Sequence, residues 1–278
     1  MKISLSTACL YVYPLRWIFA IARRAGFDGV ELVISPEVEW RGGASVRRLA
    51  QEHALQVFSV HPPLFQYPGW RGSFTNIAPF LPRALRVTQD VGAPLLVIHM
   101  PRSRHPNTGV GREFVRGVVS ARARLNGTEP RLSLENRAYF SARSNGLILS
   151  TPAELRAFAD AHDFTLTLDT AHVGTWGIDL LDAYAVFRSR LANVHLSDLR
   201  EVSPHVEQRP RLHSYVKQHQ LLGAGKLPLI GFLRALARDG YAGAVTLELS
   251  PLALHVWNPR AVERRLKASV EFVRGAIA

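Results

Sequence analysis

The chain is short of three things. Its 278 residues include one cysteine, Cys9, so an intrachain disulfide is excluded and a reducing, cytoplasmic setting is expected. No run of about 18 apolar residues occurs, which excludes a spanning helix and leaves no membrane partner to expect. Lysine is scarce: Lys2, Lys217, Lys226 and Lys267 are the only four among 34 Lys+Arg, and the rest are arginines. Set against 22 Asp+Glu, these leave a formal charge of +12. That balance suits nucleic acid or an acidic substrate, and it equally suits a merely arginine-rich composition. Low-complexity segments and shifts in composition are also missing, so residues 1–278 are read as one domain with ample chain for a core. The opening MKISLSTACLYVY has a leader-like lysine and apolar run, but Pro14 and Arg16 interrupt it. It reads instead as a first strand and the approach to a helix.

What the chain does have is alternation. Short runs rich in Val, Ile and Leu trade places with helix-like segments from end to end, as expected of parallel strands buried on both faces. KISLST is followed by a helix from about Pro14 to Ala25, with Gly26 as its stop. Further helices are expected over Ser45–His53, Ile77–Val91, Gly111–Leu125, Leu180–Arg190, Leu229–Arg238 and Ala261–Ile277. Thr151-Pro152-Ala153-Glu154 is a capping box with proline at the first helical position, opening a helix to about His162. Eight strand–helix units without a break make a single (β/α)₈ TIM barrel the economical reading. A doubly wound open sheet is the alternative, but it would not bring many strand ends to one point.

Seven of the apolar runs stop at a residue able to bind a metal. GVELVI surrounds Glu31, QVFSV leads to His61, and PLLVI leads to His99. RLSL leads to Glu135, TLTL to Asp169, LANV to His195 and AVTL to Glu248. In a parallel barrel these ends converge on one mouth. Three imidazoles and four carboxylates gathered there would repel or stay unpaired unless a cation held them together. The bland alternative pairs Glu135, Asp169 and Glu248 with Arg137 or other rim arginines, and leaves His61 and His99 as core histidines. The connection over 199–226 is long and rich in Arg, Lys and His, and it is expected to lie over the mouth. Gly223 and Gly225 would let backbone N–H groups approach an oxyanion there. Phe65, Tyr67, Trp70, Trp176 and Trp257 follow strands, where they would stack on a ring or simply pack.

The strings LSLENR, LTLDTAHVG, NVHLSD, HQLLGAGKLP and VTLELS, in this order, resemble the xylose-isomerase-like barrel superfamily. That group includes sugar and sugar-phosphate isomerases and epimerases, and the endonuclease IV type of apurinic-site nuclease. The resemblance implies Glu135, Asp169, His195 and Glu248 as ligands of one divalent metal. Its nuclease branch implies His61 and His99 as ligands of a second, sharing Glu135, and His172 and His219 as ligands of a third. Mixed carboxylate and imidazole suits Zn²⁺ or Mn²⁺, so one to three such ions are expected. The chain also departs from the nucleases. Lys217 stands where they have an acidic residue two positions before the histidine of HQLLGAG, and an ammonium would sit where a cation does. Their amino-terminal His-x-Ser-x-x-Gly-Gly pattern is absent, and PPLFQYPGW does not match their DNA-probing loop.

The expected function is therefore metal-dependent isomerisation or epimerisation of a sugar, sugar phosphate or related polyol-ketone through an enediolate. Glu135 and Glu248 would remove and return the proton. Arg137, Lys217, Trp176 and Glu31 are the candidate substrate-binding residues. The alternative is hydrolysis of a phosphodiester at abasic sites in DNA. A small-molecule partner, with DNA only under the alternative, completes the expectation, and a homo-oligomer is compatible with either.

Overall fold

A computed structural model describes residues 1–70, 76–125 and 129–278. Eight parallel strands close into one barrel in sequence order. They are β1 Lys2–Ser6, β2 Gly29–Val33, β3 Gln56–His61, β4 Leu95–Ile98, β5 Arg131–Glu135, β6 Thr165–Asp169, β7 Leu191–Leu196 and β8 Ala244–Leu247. Closure is made where β8 pairs with β1, Val245 against Ile3. The outer layer is built from α1 Leu15–Ala25, α2 Gly43–Glu52, α3 Leu81–Val91, α4 Gly109–Leu125, α5 Pro152–His162, α6 Leu180–Phe187, α7 Leu229–Arg238 and α8 Pro259–Ile277. The open-sheet alternative is thereby excluded.

The apolar runs earn their positions through the two-residue period of a strand. In β5, Leu132 and Leu134 are buried in the apolar core, while Ser133 and Glu135 share the other face. Ser133 Oγ meets Thr167 Oγ1 of β6 at 2.7 Å, and Thr246 Oγ1 donates to Asn193 Oδ1 at 3.1 Å. The barrel lumen beneath the mouth is thus a hydrogen-bonded polar layer, and the main hydrophobic layer lies between strands and helices. Phe19, Phe114, Phe164, Phe187 and Phe232, all completely buried, anchor that layer.

Local signals explain where helices begin and end. Thr151 and Glu154 form both bonds of the capping box at the start of α5, a device worth about 1 kcal/mol. Gly26 closes α1 at φ +93°, a conformation that a side chain would strain. Pro14 caps α1 and is not part of its first turn, and α6 stops three residues early, at Phe187. Short helices at Pro36–Arg41, Thr170–Thr175, Pro204–Glu207, Pro210–Val216 and Pro251–Leu254 were not expected. All but one of them begin at proline, which suits the first helical position. The long 199–226 connection therefore has secondary structure of its own. No helix among the described residues is long and apolar enough to cross a membrane.

Candidate metal centre

Strand geometry alone delivers the mouth residues. Glu135 and Asp169 end their strands, β3 ends at His61, and His99 and Glu248 follow β4 and β8 by one position. Asp169 stands level with His195 in the β6–β7 register. Asp169 also caps the helix Thr170–Thr175: its Oδ1 accepts from His172 N at 2.7 Å, which turns His172 back toward the mouth. His172 Nδ1 lies 2.9 Å from Asn136 O.

Glu135 sits at the centre. Its Oε2 is 3.2 Å from His99 Nε2 and 3.7 Å from His61 Nε2. Its Oε1 is 3.2 Å from His172 Nδ1 and 3.4 Å from His195 Nδ1. The same His195 nitrogen is 3.2 Å from Glu248 Oε2, so two carboxylates flank one imidazole. Three overlapping groups offer ligand atoms that lie within 4.8 Å of one another: Glu135, Asp169, His195 and Glu248; His61, His99 and Glu135; Asp169, His172 and His219. His219, from the long connection, holds φ +54° and approaches Ser197 Oγ through Nδ1 at 3.3 Å.

The donor atoms fit a cation. Both oxygens of Glu135, Asp169 Oδ2, His61 Nε2 and His195 Nδ1 are buried without a hydrogen-bond partner. Leaving one such atom unsatisfied costs about 1–3 kcal/mol, and a charged one costs more. Among the described residues no arginine or lysine lies within ion-pair distance of Glu135, Asp169 or Glu248. Arg137 in particular turns away, donating from Nη2 to Met100 O and Pro101 O at 2.9 and 2.8 Å. The rim-arginine alternative does not describe this mouth.

Protonation follows the same field. For His172, burial opposes charging, but Asp169 and Glu135 overcome it and raise the imidazole to about 9. Burial likewise opposes charging His195, yet Glu31, Glu135 and Glu248 raise it well above the ordinary value. His99 is pushed down to about 3 by burial, with His61 and His172 adding to that effect. Burial would raise Glu135 and Glu248, but the surrounding histidines hold both below the usual carboxylate range. A pocket that keeps protons on imidazoles to balance its carboxylates releases those protons when a metal replaces them.

Several expected contacts fall elsewhere. Glu31 is completely buried below the mouth and does not face a substrate. Its Oε2 accepts from Ser59 Oγ at 2.8 Å and Asn193 Nδ2 at 3.3 Å, and meets His195 Nε2 at 2.9 Å. It therefore orients His195, because a carboxylate on the far nitrogen fixes the tautomer and ring direction of a ligand histidine. Lys217 Nζ pairs with Glu207 at 2.5 Å and neither lines the cavity nor occupies a cation position. Trp176 Nε1 donates to Arg137 O at 2.7 Å, so it packs against the β5 loop outside the cavity. The glycines of the GAG turn do approach an oxyanion, but one belonging to the chain. Asp198 accepts from the N–H groups of Leu199, Gly223, Gly225 and Leu227. A Cβ at Gly225 would collide with that carboxylate and with Leu199 O. Asp198 is the pin of the long connection, and DLR after a strand was the only signal for it. Asn136 was also overlooked. Its side chain bonds both the N–H and the carbonyl of Asp169, at 2.7 and 3.1 Å, tying β5 to β6 at the rim.

Above the ligand groups lies a cavity of about 160 Å³. Ala8, Cys9, Leu64, Leu249 and the rings of Tyr11 and Phe65 supply its apolar wall, the two rings meeting edge-on at 5.6 Å. Of the other aromatics, Trp70 is buried against Phe80, and Trp257 stacks on His255 in an exposed position.

A family model described as "Xylose isomerase-like TIM barrel" matches residues 19–275. An uncharacterized protein of Mycobacterium tuberculosis is 27% identical over 289 residues, covering 99% of this chain and 97% of its own. The crystal structure of D-psicose 3-epimerase with D-tagatose from Clostridium cellulolyticum H10 superposes with a TM-score of 0.73 at 15% identity, covering 100% of this chain and 99% of that one. The 3-keto-D-glucoside 4-epimerase of E. coli, in its apo form, gives 0.69 at 18% identity over 99% of both chains. Such structural likeness speaks for the fold.

Proposed function

The chain belongs to the xylose isomerase-like TIM barrel family, and from that premise we propose that it is a divalent-metal-dependent isomerase or epimerase of a sugar, sugar phosphate or related hydroxy-ketone. One observation carries the reading. Glu135, Asp169, His195 and Glu248 bring ligand atoms within 4.8 Å of one another, and Glu135 and Glu248 line a cavity sized for a small molecule. Solved relatives of the same fold described as sugar epimerases agree with it.

Those four residues would hold the principal ion, Zn²⁺ or Mn²⁺. When bound, the cation polarises a carbonyl and offsets the charge that grows on its oxygen. The proton work belongs to the chain. Glu135 and Glu248 flank His195 Nδ1, and both are held anionic, as a base must be. One carboxylate takes the proton from the carbon beside the carbonyl. For isomerisation the carboxyl group so formed hands that proton to the former carbonyl carbon, while the hydroxyl proton passes to the carbonyl oxygen. For epimerisation the other carboxylate first takes up a proton from solvent and delivers it to the opposite face of the same carbon, and the first group gives its proton back to solvent. Glu31 holds the His195 ring in place beneath them. The apolar wall of Tyr11, Leu64 and Phe65 keeps bulk water from the reacting carbon.

The second reading, phosphodiester hydrolysis at abasic DNA, draws on the two further ligand groups around His61 and His99 and around His172 and His219. The test separates the two. The metal-loaded protein is incubated with ketoses in D₂O, and deuterium is followed at the carbon next to the carbonyl. Metal-dependent exchange is the expected result. Absence of exchange across neutral, phosphorylated and acidic ketoses overturns the proposal, and salt-sensitive cleavage of abasic DNA would then favour the alternative.

A further inference from the structure

Beside the cavity, and sharing His99 and His172 with it, is a small recess of about 20 Å³. Arg102 and Arg137 both line it, with Ala138, Phe140 and Leu147 as apolar walls. Arg137 is 8% exposed. Among the described residues its side-chain hydrogen bonds leave from Nη2, and Nε is buried without an acceptor. Arg102 lies over the Phe140 ring at 5.9 Å. Neither guanidinium has a carboxylate partner among the described residues. The two guanidinium groups lining one recess therefore repel each other.

Two like charges, one of them buried against hydrocarbon, are costly unless an anion joins them. The geometry points to a carboxylate on the substrate: the recess is an acid subsite, and the preferred substrates of the metal centre are keto-sugar acids. This inference rests on the isomerase reading. Size selects the group. By this measure one water needs about 10–15 Å³, so the recess takes one or two waters' worth, near a carboxylate head and too small for a phosphate. The free Nε edge of Arg137 offers the directional N–H donor that a carboxylate oxygen accepts, and the surrounding low dielectric strengthens the pair. Entry beside His99 and His172 sets the acid group next to the reacting carbons and at one end of a short chain.

The experiment uses the metal-loaded protein and three probes: D-fructose, D-fructose 6-phosphate and 2-keto-D-gluconate, whose carboxylate adjoins the ketone. Binding is read from the emission of Trp176, whose Nε1 bonds the Arg137 carbonyl, and chemistry from deuterium exchange. Wild type is expected to bind the acid at least ten-fold more tightly than fructose. R102A, at an exposed position, is expected to cut that acid-to-neutral ratio at least five-fold. R137K is the second variant, since an ammonium keeps the charge but loses the planar fork, and it too is expected to lower the ratio. An unchanged ratio in both variants overturns the inference, as does a preference for the phosphate ester over the acid. The two proposals fail separately. Exchange on fructose with no Arg102 dependence removes the acid subsite and keeps the isomerase. Arg102-dependent binding of the acid without exchange on any probe removes the isomerase and keeps the subsite.

Discussion

The two ends of the barrel treat the same residue types in opposite ways. At the amino-terminal end of the strands, Asp160 and Asp163 are clamped by arginine. Asp160 meets Arg156 and Arg190 at 2.8 and 2.9 Å, and Asp163 meets Arg190 at 2.6 Å as well as Arg122. These pairs are solvated, the carboxylates lie below their usual range, and the structure is complete without further charge. At the carboxyl-terminal end, Glu135 and Asp169 are buried beside Glu248, and among the described residues the only cationic groups beside them are imidazoles. One end is finished by the chain itself, and the other gathers residues that could hold a cation. Glu31 and Asp198 also lack a guanidinium, but neutral donors or a histidine bond them. The mouth differs in gathering both oxygens of Glu135 and Asp169 Oδ2, none with a hydrogen-bond partner among the described residues.

Breaking the open end should cost most. Glu135→Gln removes the oxygen charge at the centre of the cluster and one proposed base, so turnover should fall by at least about 10³-fold and bound metal should drop in elemental analysis. Retained activity at wild-type metal content would remove Glu135 from the proposed role. Glu31→Gln should act more mildly, because it alters the partner of His195 and leaves every ligand atom in place. Metal affinity measured against a chelator should weaken by roughly 10–100-fold.

The third prediction concerns pH. His172 has its folded value raised to about 9, against an ordinary value of about 6.5. Its protonated form therefore stabilises the metal-free protein fully below about pH 6.5, and that contribution is lost as pH rises through about 9. The melting temperature of metal-free protein should fall across this window, and that of metal-loaded protein should fall less, since a cation held by Glu135 and Asp169 would oppose charging of the neighbouring His172. Metal binding near pH 7 should release protons, measurable by titration calorimetry in buffers of different ionisation enthalpy. At the finished end, Asp163→Asn should leave activity unchanged and shift the melting temperature by no more than about 2 °C, since solvated pairs contribute little. A large loss of metal from that variant would dissolve the contrast between the two ends.

Much of this was legible beforehand for definite reasons. Glu135, Asp169 and His195 could be read from the apolar runs they terminate, because a strand end in a parallel barrel has one place to go. Glu31 stands mid-run, two residues before β2 ends at Val33, and so lies below the mouth. The β2–β3 register shifts between Val30 and Glu31, and no local pattern announces such a shift. Lys217 looked like a cation substitute because it sits two residues before His219, but a short helix carries Glu207 to it. Asp198 and Asn136 escaped notice because their partners are backbone groups of distant segments, which side-chain identity does not reveal.

The amino-acid sequence by itself determined the barrel, since strand and helix periods and their stops are local properties that each segment carries with it. It also determined which residues would stand at the rim. Only the tertiary structure decided which of these face the cavity, which support them from below, and which arginines stay away. Those outcomes depend on register and on burial of charge between distant segments, such as Glu31 and His195, 164 positions apart, and no stretch of chain holds that information alone.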